Sequence, residues 1–288
     1  MMTVTIVIPA YNEAGAIESV VRDLAARYPE HEIMVIDDGS SDETGKIVSG
    51  LPCKLVKHEV NRGYGAAWKS GCRAAESDLI VYYDGDGQFD ADDVGVLIKR
   101  QAETGADMVS GVRQRKSDAP LLRQPGKWVL KVLANYLTRM KIPDLNCGLR
   151  IFKREKLLNY LHLLPNGFSA STTSMVLFLK RSYVVEFIPV ITKQRIGKSS
   201  VRIIGDGMNT VILLIRLIAL FEPLRIFVPI SGYMMGLSVL YSFYEMVVSG
   251  LGVPVLGAVT FIGGLTIFLI GILCDQISAM RLERYENR

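Results

Sequence analysis

Over the first 113 residues, short apolar, β-branched runs alternate with segments whose apolar positions recur every three or four residues. The runs Val4–Ile8, Glu32–Ile36, Lys54–Lys57, Leu79–Tyr83 and Met108–Val112 predict strands. The stretches Ala16–Ala26, Thr44–Leu51, Tyr64–Ala75 and Val94–Glu103 predict helices, with Ser41 or Asp42 and Asp92 placed as N-caps. Five strands joined by four crossovers imply an α/β fold built on a mostly parallel, doubly wound sheet. In such sheets ligands gather beyond the carboxyl ends of the strands. Those tails are polar here. The first carries Pro9, Tyr11, Asn12 and Glu13, and the second Asp37, Asp38, Gly39 and Ser40. The fourth carries Asp84, Gly85, Asp86, Gly87 and Gln88, and the fifth Gly111 and Arg113.

The pattern changes toward the C-terminus. No Lys or Arg occurs from Ile226 to Met280, and neither of the stretches Phe227–Tyr244 and Met246–Cys274 holds a charged residue. Each approaches or exceeds the ~20 residues needed to cross ~30 Å of hydrocarbon. They predict a transmembrane hairpin turning near Ser249–Pro254. Met208–Phe221 is apolar except for Asn209 and Arg216, too short to span, and ends before Pro223; an interfacial helix or a core helix fits it. The expected division is an α/β domain at 1–205, an amphipathic interfacial helix at 206–224 and a hairpin at 225–288. Arg216 and Arg225 precede the hairpin, and Arg281, Arg284 and Arg288 follow it, so the positive-inside rule puts both flanks, and the large domain, in the cytoplasm. The run Met1–Pro9 has no basic leader or cleavage site, which agrees with that side.

Composition adds limits more than assignments. The 288 residues are 49% hydrophobic and carry a net charge of +4, too modest to argue for nucleic acid. Cys53, Cys72, Cys147 and Cys274 show no paired spacing, and His31, His58 and His162 form no cluster in sequence, so all three histidines are read as bystanders. Neither a dinucleotide G-x-G-x-x-G after the first strand nor a P-loop is present.

The candidate chemistry lies in the tails. Asp84 and Asp86 alternate across a glycine, offering two hard oxygen ligands to a divalent ion whose remaining positions substrate phosphates can fill. An EF-hand is excluded because Phe89 and Gly95 stand where that loop needs Gly and Glu. Asp37 and Asp38 can accept hydrogen bonds from a base or ribose, or one of them can cap a turn. Asn61, Gly63 and Gly65 leave backbone amides open to an anion, or form a tight turn. Two basic sets suit a phosphate or a solvated face: Arg113, Arg115, Lys116, Arg123, Lys127 and Lys131, and then Lys193, Arg195, Lys198 and Arg202.

PAYNE at 9–13, DDGSSD at 37–42, NRGYGAA at 61–67, DGDGQ at 84–88 and DLNCGLR at 144–150 together resemble the GT-A family 2 glycosyltransferases, and within them the polyprenyl-phosphate branch. The resemblance implies a GT-A, Rossmann-like fold with a UDP- or GDP-linked sugar as donor and a polyprenyl phosphate as acceptor. It implies that Pro9, Tyr11, Glu13, Asp37, Asp38 and Gly63 border the nucleotide, that Asp84, Asp86 and Gln88 bind Mg²⁺ or Mn²⁺, and that Arg195 and Arg202 attend the leaving phosphates. Arg113, Arg123 and Lys127 become the candidates for the acceptor phosphate, with Asp144, Asn146, Gly148 and Arg150 bordering sugar and acceptor. Asp84, Asp86, Arg113 and Asp144 form the implied catalytic set. The phosphate dianion would attack the anomeric carbon directly and invert it. Rival readings are a transferase extending a soluble or growing glycan, and an inactive membrane scaffold. Gly232, Gly236, Gly263 and Gly264 are small residues at which helices of a homo-oligomer can approach.

Overall fold

Every residue of β1 (Val4–Ala10) is buried, so this strand needs cover on both faces of its sheet. Its even-numbered residues Ile6 and Ile8 pack with Ile17, Val20, Val21 and Leu24 of α1 (Ile17–Arg27) and with Val94 and Leu97 of α4 (Asp92–Thr104). The opposite face receives α3 (Tyr64–Ala74). There Trp68 of α3 stacks on Tyr82 of β4 (Leu79–Tyr82) with centroids 4.0 Å apart, and Phe152 of β6 (Arg150–Lys153) meets Phe178 of α6 (Ala170–Lys180) at 5.2 Å. The sheet is therefore doubly wound. The computed structural model describes residues 2–114, 131–193 except 133 and 137, positions 212, 213, 216 and 219, and residues 221–250 and 252–283.

Among the described residues, seven strands form the sheet, in the order β3-β2-β1-β4-β6-β5-β7. β2 (Glu32–Asp37) and β4 flank β1 in parallel, β3 (Lys54–Lys57) continues beside β2, and β5 (Met108–Arg113) runs parallel to β7 (Val185–Val190). β6 is antiparallel to both β4 and β5. Five strands are expected from the sequence pattern, so β6 and β7 correct it. Arg-Ile-Phe-Lys is only four residues long, opens on a charged side chain and leads directly into α5 (Arg154–Leu158), so it lacks an alternating signature. β7 contains Pro189, which a central strand does not tolerate; the strand escapes that limit by lying at the sheet edge.

Two boundaries also move. α2 (Thr44–Val48) ends three residues before the expected Leu51. The N-cap of α2 is Glu43, neither Ser41 nor Asp42, although Asp42 Oδ1 still accepts the Thr44 amide at 3.0 Å; Asp92 likewise is not the cap of α4 but lies inside it, after Ala91, and its amide is accepted by Asp90 Oδ1 at 3.2 Å.

The chain divides into two units, Met1–Gly207 and Met208–Arg288. Most of 206–224 lies outside the described residues. The second unit holds α7 (Leu224–Ser249) and α8 (Val255–Glu283), both long and apolar enough to cross a membrane. Gly250, at φ 65°, ends α7 in the left-handed conformation that a residue without a Cβ adopts freely. Within the hairpin, Gly257, Gly264, Gly271 and the buried Ser278 recur every seventh residue. A Cβ added at the three glycines would collide with Ser242, Met235 and Phe227 of α7 respectively. Ser238 Oγ donates to the Gly257 carbonyl at 2.5 Å. Small residues at heptad spacing thus let the two helices approach closely. Gly264, expected to serve an oligomer, is consumed by this internal seam.

In the first unit, Gly71 brings α3 against β1: a Cβ there would overlap the γ-methyl groups of Val7. Gly→Ala within a helix ordinarily gains up to ~1 kcal/mol. Overpacking a core costs about 1–3 kcal/mol, and Val7 is fully buried with nowhere to move. Gly71→Ala is accordingly expected to destabilise the first unit and lower its midpoint in thermal or urea unfolding; a raised midpoint would show that α3 can lift from the sheet without cost.

Candidate active site

The tails of β1 and β2 are joined by hydrogen bonds between side chains and backbone. The amide of Asn12, at φ 56°, donates to Ser40 Oγ at 3.0 Å, and its Oδ1 accepts the Ser41 amide at 2.8 Å. The amide of Glu13 donates to Thr44 Oγ1 at 2.9 Å and that of Ala14 to Asp42 Oδ2 at 3.2 Å. Pro9 lies within β1, paired to Ile36, and Tyr11 stands exposed just beyond it.

Asp37 and Asp38 are both buried. Asp37 Oδ1 accepts the Ser40 amide at 2.9 Å, while its buried Oδ2 lies under Gly45 without a hydrogen-bond partner. Asp38 collects three donors: His58 Nδ1 at 2.6 Å, the Arg62 amide at 2.9 Å and the Gly63 amide at 2.7 Å. The other His58 nitrogen lies 2.8 Å from Ser70 Oγ of α3. His58 is therefore no bystander. It is buried and links the end of β3 to β2 and α3, a role invisible in sequence because its partners lie 20 and 12 residues away.

This network sets the course of 58–63 and, through Gly63 at φ 99°, the start of α3. Tyr64 then donates its hydroxyl to Asp84 Oδ1 at 2.6 Å. Burial, followed by the Asp84 charge and hydrogen bond, holds the Tyr64 phenol well above its ordinary pKa, so it remains a proton donor to that carboxylate. On the other side, Gly148 faces Asp84 so closely that a Cβ would occupy the position of its carboxylate. Asp86 is buried, with Oδ1 accepting the Gln88 amide at 3.1 Å. The loop is fastened further on by Lys193, whose amide donates to the Gln88 carbonyl at 2.8 Å and whose Nζ lies 2.7 Å from Asp90 Oδ2.

Beyond β5, Arg113 makes a bidentate pair with Asp144, Nε to Oδ2 at 2.8 Å and Nη2 to Oδ1 at 3.0 Å. Burial opposes the Asp144 charge, but the Arg113 bonds and charge and the Asn146 and Arg113 amides outweigh it, leaving its pKa below the usual value. Arg150 is fully buried and donates to the carbonyls of Leu145 at 2.8 Å and Ser171 at 2.5 Å and to Ser174 Oγ at 3.2 Å. It braces the 144–150 segment against α6 rather than facing an open site. Arg115, Lys116, Arg123 and Lys127 lie outside the described residues, as do Arg195, Lys198 and Arg202.

No group of three or more His, Cys, Asp or Glu side chains suited to a metal occurs among the described residues. Asp84 and Asp86 nevertheless fit a hard divalent cation by their chemistry: two carboxylates, one oriented by a phenol and by a glycine that leaves it room. A diphosphate would complete the oxygen shell.

Residues 5–161, more than half of the chain, match glycosyl transferase family 2. The chain belongs to that family. Residues 222–280 of this family 2 glycosyltransferase match the GtrB C-terminal hairpin. It is 30% identical over 176 residues to the dodecaprenyl-phosphate galacturonate synthase of Rhizobium johnstonii, a match covering 56% of this chain and 52% of the relative. It is 32% identical over 191 residues to an undecaprenyl-phosphate 4-deoxy-4-formamido-L-arabinose transferase of Shewanella sediminis, covering 60% and 57% respectively. The matched region thus spans little more than half the length of these curated relatives. Glucosyl-3-phosphoglycerate synthase of Mycobacterium tuberculosis, solved with phosphoglyceric acid, shares the GT-A-like fold at a TM-score of 0.61 and 19% identity over 76% of this chain and 79% of that one. The same enzyme with Mn²⁺, UDP and glucosyl-3-phosphoglycerate superposes at a TM-score of 0.58 and 18% identity over 76% and 79%.

Gly148→Ala is expected to swing the Asp84 carboxylate aside. Because the displaced group is the end of a side chain, unfolding stability should change by no more than ~1 kcal/mol, whereas transfer should fall on the order of 100-fold, the scale of an ångström misplacement. Equal loss of stability and activity would assign the glycine to packing alone. The Arg113–Asp144 pair has a pH signature: a carboxylate with a lowered folded pKa contributes stability above its unfolded value of ~3.9 and loses it as pH falls through the folded value. The stability gap between wild type and Asp144→Asn should therefore shrink below about pH 4, as read by urea titration at successive pH values.

Proposed function

We propose that this protein transfers a hexose from a UDP- or GDP-linked donor to a polyprenyl phosphate such as undecaprenyl or dolichyl phosphate, with inversion at the anomeric carbon, for use in glycosylation outside the cytoplasm. The observation that carries this reading is the presence, in one chain, of a family 2 domain and a GtrB-type apolar hairpin, in a protein whose relatives are named for polyprenyl-phosphate sugars. A soluble acceptor gives no reason for such a hairpin.

In this proposal Pro9, Tyr11, Glu13 and the loops fixed by Asp37, Asp38 and Gly63 receive the nucleoside. The buried carboxylates of Asp37 and Asp38 act mainly through the backbone they hold. Asp84 and Asp86, with Gln88, would hold Mg²⁺ or Mn²⁺, which would supply positive charge to offset that developing on the departing nucleoside diphosphate. Arg195 and Arg202 follow Lys193, which is tied to the Gln88–Asp90 segment, and are assigned to the same leaving group. Arg113, Arg123 and Lys127 attract the acceptor phosphate. Asp144 keeps the Arg113 guanidinium in a fixed plane. A phosphate monoester with a second pKa near ~6 is mostly dianionic at neutral pH, so its oxygen needs orientation more than deprotonation.

The proposed arrangement is a cytoplasmic catalytic domain at 1–205, an interfacial helix at 206–224 and a membrane hairpin at 225–288, with the basic flanks of the hairpin inside. Gly232 and Gly236 on α7 have open space where a Cβ would stand, which suits close approach of a second copy in a homo-oligomer.

The test is to incubate membranes holding the protein with a panel of radiolabelled UDP- and GDP-sugars and lipid phosphate, then to extract into organic solvent. One donor should yield a lipid-soluble, acid-labile product. Asp86→Ala should reduce it on the order of 100-fold or more while the variant stays membrane-inserted. Undiminished transfer by that variant with metal chelated would overturn the proposal.

A further inference from the structure

Phe168 is 61% exposed, the most exposed phenyl or phenol ring among the described residues of the first unit. Its exposure does not come from a loose loop. The Asn166 carbonyl accepts the Ala66 amide at 3.1 Å, and Lys69 Nζ donates to the Leu164 carbonyl at 3.1 Å and to Asn166 Oδ1. Ser171 Oγ donates to the Phe168 carbonyl at 3.1 Å. Gly63 and Gly65 lack the Cβ atoms that would strike the Asn166 and Pro165 carbonyls, so segment 165–168 lies directly on the start of α3. One face of the Phe168 ring stacks on Tyr64, with centroids 5.3 Å apart and planes 22° from parallel. Tyr64 is the residue whose hydroxyl reaches Asp84. An apolar plane is therefore held one ring away from the carboxylate assigned to the donor diphosphate.

We propose that Phe168 is the platform on which the donor's sugar ring lies. The group joined to a diphosphate in a nucleotide-sugar is the pyranose, whose C–H face packs on an aromatic plane while its hydroxyls need polar partners. The surroundings supply both kinds of contact. Asn166 and Ser169 flank Phe168, and Thr172 Oγ1 donates to Oδ1 of the exposed Asn146 at 2.6 Å. An isoprenyl chain would call for several exposed apolar side chains, and within 164–172 Phe168 is the one exposed apolar side chain. Segment 167–172 itself has no acidic side chain to bind a sugar hydroxyl, so its contact with the sugar is the ring. This inference rests on the glycosyltransferase reading above and adds a specificity-determining residue to it.

The experiment uses the full chain in lipid nanodiscs with Mn²⁺. Equilibrium binding of UDP- and GDP-sugars is compared with binding of UDP and GDP themselves for wild type, Phe168→Ala and Phe168→Tyr. Phe168→Ala should weaken the nucleotide-sugar that wild type prefers by about 3- to 10-fold, the worth of one aromatic stack, and leave the matching nucleoside diphosphate unchanged. Phe168→Tyr should stay within about 2-fold of wild type, because it keeps the plane. Equal weakening of nucleotide-sugar and nucleoside diphosphate, or a loss seen only as a raised KM for lipid phosphate, would overturn the platform while leaving the transferase reading intact. A wild type that binds none of the nucleotide-sugars would overturn both.

Discussion

Burying a carboxylate is costly unless donors reach it, and Asp38 draws in the backbone of Arg62 and Gly63 and the ring of His58. Much of the site follows from this local demand. The chain between β3 and α3 is wrapped around one charge, so α3 begins at a fixed place and Tyr64 points toward the tail of β4. Asp84 is then trapped between a phenol and a glycine. Such orientation matters because an ion ligand that must search for its rotamer loses affinity and precision, and a hydrogen-bonded partner behind the ligand removes that search.

The arrangement divides labour among site residues by their burial. Asp38, His58 and Arg150 are buried and spend their hydrogen-bonding capacity on the protein itself. Tyr11, Asn146 and Phe168 are exposed at loop ends. Asp84, Asp86 and the Arg113–Asp144 pair lie between, each held by a neighbour. A site built this way keeps its geometry in loops that are hydrogen-bonded to one another and leaves its exposed groups at the loop ends.

The parallel half of the sheet was legible in the sequence because its strands are buried on both faces and read as unbroken β-branched runs such as Val4–Ile8. The acidic tails were legible too, since their position after such runs carries meaning. Residues whose role depends on distant partners were not. His58 finds Asp38 twenty positions away, Gly148 is small because of Asp84, and nothing in their local sequence says so. β6 and β7 were hidden by a short charged segment and by a proline at the sheet edge. In the hairpin, heptad spacing of Gly257, Gly264 and Gly271 was present in the letters, but the more conspicuous Gly263–Gly264 doublet obscured it.

The reversed direction of β6 has a topological consequence. In a wholly parallel sheet, only chain that is leaving a strand can reach the carboxyl edge; here the reversal allows chain that is arriving at a strand, residues 144–149, to reach the same rim. The rim thereby gains a contributor whose course is set by the antiparallel pairing of β6 and by the bonds of Arg150 to Leu145 and Ser171 instead of by a strand-to-helix crossover.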